Sequence, residues 1–221
     1  MKHPDGMIGL TATDADTDLP AASSDAVEDF VITENVESEL YEATVNGKLA
    51  AGLLYTLHHM ITIAALTLAS YVDGGHIAPD DAYVKTLMDV ADRAGRAEVL
   101  VAEVDGEVAG SVVLTPPGSP LAETSGDGEY EFRMLAVHPR FHRRGVGGAL
   151  LAEIVARARA EEGVDAVVLT TMPSMTGAHR MYERAGFVRV PERDWLLADV
   201  VPDLDPADET GPFLVYRLAL D

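Results

Sequence analysis

The sequence predicts a mixed α/β (α+β) fold in which helices flank a central β-sheet. Strand-like and helical patterns alternate along the chain, two Asx-Gly dipeptides mark hairpins, and one strand-like run is almost entirely apolar, as expected for a strand covered on both faces. Hydrophobic residues make up 48% of the 221 residues, which is enough for a substantial core. We therefore expect a folded chain rather than a disordered one.

The N-terminal quarter divides into two parts. Residues 1–25 are rich in Asp, Thr, Ala and Ser without periodicity, so we expect a mobile tail. Three strand-like runs follow, and the hairpin signal Asn46-Gly47 joins the last two. These runs are Asp29–Thr33, Glu39–Val45 and Leu49–Leu57. The pattern predicts a β extension over residues 26–57, ahead of a main domain over residues 58–221.

The main domain begins with two predicted helices. His59–Tyr71 has the length and composition of a helix. Pro79 suits the first turn of the second helix, and Gly95 suits its end. The apolar side chains of this second helix share one face, and they are Tyr83, Leu87, Val90 and Ala91.

A hairpin and a further strand come next. Asp105-Gly106 is a strong two-residue turn signal between the strand-like runs Glu98–Glu103 and Val108–Thr115. A loop rich in Pro, Gly and Ser, Pro116–Gly128, then leads into a strand over Glu129–Val137.

The C-terminal third alternates helices and strands. Val146–Ala160 places its apolar residues on one helical face, and Gly163 closes this helix. The other predicted elements are the strand Ala166–Thr171, the helix Thr176–Ala185 capped by Gly186, and the strands Phe187–Val190 and Phe213–Leu220.

Charge and cysteine content exclude several classes of function. The net charge of −21 argues against a general nucleic-acid binder, because a polyanion needs a basic face. The charge is compatible with a cationic acceptor, but solubility explains it equally well. The absence of cysteine excludes disulfides, thiolate metal sites and a cysteine nucleophile. The histidines His58, His59 and His76 have no metal-like spacing with carboxylates, so we expect no metal site.

The apolar run Leu49–Val72 is long enough to span a bilayer. Its centre carries His58 and His59, and turn signals flank it, so we expect a buried strand running into a helix and no membrane span. Residues 1–20 lack the apolar core of a secretory signal, and we therefore expect a cytoplasmic protein.

The segment Leu135–Leu150 carries most of the chemical information. A strand ends near Pro139, a basic turn follows, and a helix begins without a Ser, Thr, Asp or Asn cap. The first amides of a helix lack intrahelical partners, and Gly145, Gly147 and Gly148 let another molecule approach them. Together with the helix dipole, these amides form an anion site. The basic side chains beside them are His138, Arg140, His142, Arg143 and Arg144.

Two nucleotide-binding motifs are excluded at this segment. The P-loop requires Gly-Lys-Ser/Thr, which is missing. The dinucleotide fingerprint requires a Gly or Ala where Leu150 stands, and it places its glycines directly after the strand. The alternative to a phosphate site is that Gly145 and Gly147 only permit tight packing and that the arginines are solvated.

The same segment resembles motif A of the GNAT superfamily of N-acetyltransferases. In that motif a strand ending Val-x-Pro leads to Gln/Arg-x-x-Gly-x-Gly/Ala, and residues 142–147 read His-Arg-Arg-Gly-Val-Gly. His142 departs from the usual Gln or Arg. Downstream, residues 178–187 resemble the family's later helix, which ends Tyr-Glu-x-x-Gly-Phe. The resemblance covers most of residues 60–221 and implies a mostly antiparallel mixed sheet behind the N-terminal β-hairpin extension.

By this resemblance, acetyl-CoA is the cosubstrate. The backbone of Leu135, Ala136 and Val137 would pair with its pantetheine arm. The amides that would hold its pyrophosphate belong to Arg143, Arg144, Gly145, Val146, Gly147 and Gly148. Many family members also contact the cofactor through an Asn seven residues before the helix Tyr, but Met175 stands at that position here.

The resemblance also suggests an acid and a base. Tyr182 matches the family's Tyr that reaches the CoA sulfur, and the alternative role for it is core packing. Glu131 lies on a strand where many relatives place a carboxylate for base or water-relay duty. Period-two alternation puts Glu129, Glu131, Arg133, Leu135 and Val137 on one face, so a structural pairing of Glu131 with Arg133 is the alternative.

The N-terminal extension has a weaker resemblance of its own. Residues 34–63, especially Leu40–Gly52, resemble the first strands of a different, smaller GNAT-like family, whose cofactor motif does not follow. The chain would then be a fusion in which a partial domain supplies the opening strand of the complete one. The alternative is an ordinary hairpin extension.

These observations predict an N-acetyltransferase that transfers the acetyl group of acetyl-CoA to a primary amine of a small molecule, peptide or protein by direct attack. The alternatives are a non-catalytic acyl-CoA-binding regulatory module, which His142 and Met175 favour, and a membrane-tethered protein using residues 49–72. The identity of the acceptor and the oligomeric state are not encoded in any recognisable pattern.

Overall fold

A computed structural model describes residues 30–34, 59–199 and 211–220 of the chain. The predicted tail over residues 1–25 and the predicted hairpin of Glu39–Val45 with Leu49–Leu57 lie outside these residues. The first predicted strand, Asp29–Thr33, corresponds to an observed strand over Phe30–Glu34.

The described strands form one seven-stranded sheet in the order β1-β2-β3-β4-β5-β7-β6. The strands are β1 (Phe30–Glu34), β2 (Glu98–Val104), β3 (Glu107–Thr115), β4 (Glu129–Val137), β5 (Ala166–Thr171), β6 (Val188–Arg189) and β7 (Leu214–Ala219). Only the β4–β5 pair among these strands is parallel, and all other pairs are antiparallel. The sheet confirms the predicted mixed, mostly antiparallel α/β fold.

Five α-helices accompany the sheet in the described part of the chain. They are α1 (residues 59–68), α2 (Tyr83–Met88), α3 (Val90–Arg96), α4 (Val146–Ala160) and α5 (Thr176–Arg184), and α1 runs directly into a π-helical turn over Ala69–Asp73. No helix of the described residues is long and apolar enough to cross a membrane. A cytoplasmic location stays a prediction.

The region after Pro79 differs from the single helix that the sequence pattern predicted. Asp89 has φ −81° and ψ 70°, which interrupts the helix between α2 and α3. Its carboxylate then caps α3 by accepting the amide of Asp92 at 3.0 Å. Gly95 lies inside α3, which ends one residue later at Arg96. A capping residue thus divides the predicted helix into two short ones.

The turn between β2 and β3 has the conformation that its sequence requires. Asp105 and Gly106 have φ values of 54° and 76°, and both lie in the left-handed region that a two-residue hairpin turn uses. Val104 consequently pairs with Glu107 across the turn.

A bulge in β4 reverses the side-chain alternation of that strand. Met134 has φ 53°, and the register with β3 shifts between Ser111 and Val113. Tyr130 and Phe132 pack in the core cluster that contains α4, and after the bulge Leu135 and Val137 pack against the same cluster. The prediction that Leu135 and Val137 share a face with Glu129, Glu131 and Arg133 is therefore wrong, because the bulge adds one residue to the alternation.

Core residues cover both faces of the sheet. The larger cluster lies between the sheet and the helices α4 and α5, and it includes Leu100, Leu150, Ile154 and Leu169. The opposite face is covered by α1 and α3, where Ile63 and Val90 pack on Val99, Val101 and Val113. Burying a side chain of this size stabilises the fold by about 1.5–3 kcal/mol. The sheet is therefore a rigid support for the loops and helix ends at its edge.

Candidate active site

The parallel pair β4–β5 separates along its length. Pairing joins Glu129–Glu131 to Ala166–Val168 and goes no further in the described strands, although β4 continues to Val137. Beyond Glu131, β4 keeps its pairing with β3 through Ser111↔Ala136 and Gly110↔Val137. The edge of β4 that faces β5 is therefore open over Leu135–Val137, where an extended ligand can pair as an added strand.

The turn after β4 is built around the buried ring of Phe141. Pro139–Phe141 form a short 3-10 helix, capped by the ring of His138, which accepts the amide of Arg140 at 3.2 Å. The guanidinium groups of Arg140 and Arg144 lie over the Phe141 ring, 4.5 and 5.2 Å from its centroid. These arginines also form ion pairs with carboxylates of the β2–β3 turn, Arg140 with Glu107 and Arg144 with Asp105. The turn is thereby fastened to the sheet.

The N-terminus of α4 has the features that the glycine pattern predicted. Gly145 is the N-cap, has φ 87° and provides no side-chain cap. The amides of Val146, Gly147 and Gly148 are the first of the helix and cannot bond within it. These amides and the dipole of a 15-residue helix can hold an anion.

The other residues of the motif do not all present a free amide to a ligand, as the motif implies. Arg143 is exposed and has φ 64°, whereas the amide of Arg144 already donates to the Phe141 carbonyl at 3.4 Å. Gly147 also has a packing role, because a Cβ at this position would come within 3.0 Å of the Met181 sulfur on α5. The assignment of all six amides to a pyrophosphate stays a prediction.

His142 occupies a position beside the open edge of β4. Its Nε2 lies 3.0 Å from the Val137 carbonyl oxygen, so the ring donates a hydrogen bond there when Nε2 carries the proton. The amide of His138 donates to Ala109 on β3, so the Val137 groups point away from β3. The ring of His142 therefore covers one of the backbone groups predicted to meet the pantetheine arm.

Tyr182 lies on α5 with its ring in the core. It is 5% exposed, and its ring centroid lies 6.1, 6.0 and 6.0 Å from those of Phe132, Phe187 and Tyr216. Burial raises the pKa of the Tyr182 hydroxyl, so this group stays protonated at neutral pH and has a proton to donate. This hydroxyl forms no hydrogen bond with any other residue that the structure describes.

Glu131 is fully buried and anchors the β3–β4 loop. Its Oε2 accepts the amides of Glu123, Thr124 and Ser125 at 2.9, 3.0 and 3.0 Å. These three hydrogen bonds fix the position of the carboxylate. Its Oε1 is buried and has no hydrogen-bond partner among the described residues. Oε2 of Glu131 therefore anchors the loop, whereas Oε1 is available to accept a hydrogen bond or a proton.

Glu129 joins the same loop to the end of the sheet. Arg193 donates to both of its oxygens at 2.8 and 2.7 Å, Arg217 donates at 2.8 Å, and the Gly126 amide donates at 2.9 Å. Burial alone would raise the pKa of Glu129, but the bonds from Arg193, Gly126 and Arg217 outweigh it and hold the pKa at about 2. The loop over residues 116–128 is thus held by two buried carboxylates of β4.

Met175, which stands where many family members have a cofactor-contacting Asn, is partly buried and packs against the core. Met175 packs beside Ile77, Leu87 and Met172, and its sulfur lies 3.6 Å from the Thr171 hydroxyl. Within the described ranges, no three His, Asp or Glu side chains are grouped so that they could hold a metal ion.

A group of residues beside the β4 bulge was not predicted from the sequence. Tyr71 and Tyr83 lie with their ring centroids 6.4 Å apart, and Met134 packs against the same cluster. Burial raises the pKa of Tyr71, and the nearby Tyr83 and Tyr182 raise it further, so these three phenols occupy one region. The only indication of this group in the sequence was that tyrosines recur in separate helical patterns. Core packing explains that recurrence as well as a functional role does.

Comparisons with known proteins show the family of the chain. Residues 61–187 match the family model described as Acetyltransferase (GNAT) family. The mycothiol acetyltransferase of Kineococcus radiotolerans is 35% identical over 165 residues, which cover 71% of this chain and 49% of that protein. The chain thus spans about half the length of this curated relative.

Solved structures share the fold. An acetyltransferase from Streptococcus agalactiae 2603 gives a TM-score of 0.57 at 16% identity, covering 86% of this chain and 98% of that chain. A GNAT family acetyltransferase from Elizabethkingia anophelis, solved with acetyl-CoA bound, gives a TM-score of 0.52 at 18% identity, with coverage of 86% and 98%.

Proposed function

Because the chain belongs to the Acetyltransferase (GNAT) family, whose model matches residues 61–187, we propose that it transfers the acetyl group of acetyl-CoA to a primary amine by direct attack. The observation that carries this proposal is the open edge of β4 at Leu135–Val137, directly before the uncapped start of α4. A cosubstrate with an extended amide-containing arm and a pyrophosphate needs these two features next to each other. The family membership itself confirms the prediction made from the two motifs.

In this proposal the pantetheine arm of acetyl-CoA lies along β4. Its amides pair with backbone groups of Leu135, Ala136 and Val137, as a further strand would. The pyrophosphate meets the amides from Arg143 to Gly148, where Gly148 leaves open space beside the backbone. The exposed side chain of Arg143 adds a positive charge at the same place.

The reaction needs one proton donor and one proton acceptor. The amine lone pair attacks the thioester carbonyl carbon, the new C–N bond forms, and the C–S bond then breaks to release the CoA thiolate. We assign the donor role to Tyr182, whose protonated hydroxyl can donate to the departing sulfur. The attacking nitrogen loses one proton in the same sequence.

Glu131 is the proposed acceptor of that proton, directly or through a water molecule. Its Oε1 is buried without a partner in the described part of the chain, whereas Oε2 is used by the three loop amides. Anchoring and proton transfer are thus assigned to different oxygens of one side chain.

A non-catalytic acyl-CoA-binding module is the second candidate. The observation that favours it is the ring of His142, which lies 3.0 Å from the Val137 carbonyl and covers a group that would otherwise meet the cosubstrate. A module of this kind would bind acetyl-CoA and release no thiol when an amine is added.

Thiol release from acetyl-CoA in the presence of an amine panel separates the two candidates. The chain has no cysteine, so a thiol reagent reports only the CoA product. We expect amine-dependent release together with calorimetric binding of acetyl-CoA. Binding without release in any amine would instead support the regulatory module, and the absence of binding would contradict both.

A further inference from the structure

A cavity of about 500 Å³ lies between the helices α2 and α3 and the strands β3 and β4. Val113 and Met134 line it from the sheet, so it reaches the β4 bulge next to the open edge. Tyr83 also lines it and stands next to Tyr71, with ring centroids 6.4 Å apart. Tyr71 in turn lies near Tyr182, the proposed proton donor. The cavity is therefore placed to receive the acceptor and not the cosubstrate.

The carboxylates that line the cavity are already engaged. Glu123 forms an ion pair with Arg133, and Asp92 forms one with Arg96 at 3.0 Å. Asp89 accepts the Asp92 amide at 3.0 Å as the cap of α3. A cationic group entering the cavity would have to compete for each of these carboxylates.

Arg93 is the buried cation of the cavity lining, and it forms no ion pair with a carboxylate of the described residues. It is 4% exposed, and its Nη1 donates to the Thr86 carbonyl at 2.5 Å. Its Nε is buried without a partner among the residues that the structure describes. An unpaired buried donor on a charged group is costly, so it points to a ligand that completes the bonding.

The charge of the cavity lining supports the same conclusion. Its cations are Lys85, Arg93, Arg96 and Arg133, against the three carboxylates Asp89, Asp92 and Glu123. The lining therefore carries one excess positive charge in a chain whose net charge is −21. Such a local reversal of sign attracts an anion.

We propose that this cavity binds a carboxylate group of the acceptor, with the buried guanidinium of Arg93 as its partner. The acceptor is then a small primary amine that also carries a carboxylate. Because Nη1 is used by Thr86, the Nε–Nη2 edge remains, and this edge matches the two oxygens of a carboxylate. The inference rests on the proposed acetyl transfer, since it names the acceptor class for the same site.

A carboxylate fits better than a phosphate for two reasons. One excess positive charge balances a monoanion, whereas a phosphate monoester carries close to two negative charges at neutral pH. A single buried guanidinium also offers one fork, which suits two oxygens rather than three. The cavity volume of about 500 Å³ suits a ligand of small-metabolite size.

The test compares matched acceptors. Linear amino acids from glycine to 6-aminohexanoate, their carboxamides and the corresponding aminoalkylphosphonates are assayed for thiol release from acetyl-CoA. We expect at least one amino acid to exceed its carboxamide and its phosphonate by tenfold or more in kcat/KM. Arg93→Gln should raise KM for that amino acid by roughly 10- to 100-fold, because a charge-assisted bidentate contact is lost, and leave the acetyl-CoA affinity unchanged.

Two further variants keep the test decisive. Arg159→Gln, which removes an exposed arginine of α4, should keep the wild-type preference. Arg93→Lys keeps the charge without the fork and should show an intermediate KM, which covers the case in which Arg93→Gln does not fold. Equal use of carboxamides, a preference for phosphonates, or a preference that survives the loss of Arg93 would each overturn the proposal.

The acceptor site can also be tested separately from catalysis. If acetyl-CoA binds but no amine releases thiol, the proposed function fails while the carboxylate site remains testable. The amino acids and carboxamides are then titrated calorimetrically into the protein saturated with CoA. Binding that requires both the carboxylate and Arg93 would support the site, and equal or absent binding would overturn it.

Discussion

Tyr182 shows how one residue can combine packing and chemistry. Its ring is enclosed by three other aromatic rings, which fixes the direction of the hydroxyl, and its hydroxyl is the group assigned to the leaving thiolate. Packing and proton donation depend on different atoms of the side chain. A substitution that removes one atom can therefore separate them.

Tyr182→Phe keeps the ring and removes the proton. We expect turnover to fall by roughly a hundred- to ten-thousand-fold, the usual range for loss of a general acid. The melting temperature should hardly change, because the hydroxyl has no recorded partner among the described residues. Steady-state kinetics and thermal unfolding are measured on the same preparation. Full activity in the folded variant would remove Tyr182 from the mechanism and leave it a core residue.

Glu131→Gln separates the two proposed roles of this carboxylate. The amide oxygen of Gln can still accept the loop amides, so the loop should stay in place, whereas a neutral amide cannot take a proton. We expect turnover to fall by about a hundredfold or more with only a small loss of stability. Glu131→Ala, as a comparison, should lose both activity and stability. Unchanged turnover in Glu131→Gln would leave the residue as an anchor alone.

At the scale of elements, the junction of β4 with α4 depends on three residues with positive φ. Met134, Arg143 and Gly145 have φ values of 53°, 64° and 87°. The first makes the bulge that lines the proposed acceptor cavity, and the other two turn the chain into the helix so that its first amides are exposed. The strand and the helix are regular elements, and the proposed function depends on the connection between them.

Gly145→Glu tests the anion site at this junction. The new carboxylate would stand where the pyrophosphate is expected, and juxtaposed like charges cost several kcal/mol, which corresponds to at least about a hundredfold loss of acetyl-CoA affinity. Because Gly145 has φ 87°, any side chain also strains the backbone, so Gly145→Ala is the matched control. Calorimetric titration compares the two variants. Equal affinities for them would contradict the pyrophosphate assignment.

At the scale of the whole molecule, two buried carboxylates of β4 tie the loop over residues 116–128 to the far end of the sheet. Glu129 in particular connects β4, the loop over residues 116–128, the turn at Arg193 and the strand β7 through Arg217. These bonds cross the molecule between segments far apart in sequence. They make the stability of the whole sheet sensitive to the ionisation of one group.

The acid stability of the protein should follow Glu129. Its pKa of about 2 in the folded protein lies below the ordinary value of 4.5, so ionised Glu129 stabilises the fold above pH 4.5 and loses this contribution as the pH falls towards 2. The difference corresponds to about 3 kcal/mol. Glu129→Gln should be less stable at pH 7 and should lose much less stability between pH 5 and pH 2.

Urea unfolding at several pH values measures this dependence. Glu162→Gln, which changes an exposed carboxylate after α4, is the matched control and should keep the wild-type dependence. If Glu129→Gln followed the wild-type curve in acid, the network around Glu129 would not be a source of stability.

The sequence predicted the bounds of individual helices better than the bulges and cavities that form when the elements pack together. α4 begins at Val146 and ends at Ala160 as predicted, because a glycine-rich turn and a regular apolar face mark this helix locally. The bulge at Met134 has no such mark, since methionine gives no signal for positive φ, and it moved Leu135 and Val137 to the other face. The cavity around Arg93 combines segments about 40 residues apart, so no local pattern could have shown it.

If acetyl-CoA binds along the open edge of β4 as proposed, its supply also affects the stability of the fold. A ligand that fills the space between β4 and β5 binds the folded chain and not the unfolded one, so its binding free energy adds to the free energy of unfolding. At a hundred times its dissociation constant, such a ligand contributes about 2.7 kcal/mol. The same sheet is then most resistant to unfolding, and to proteases that act on unfolded chains, when the cosubstrate is abundant.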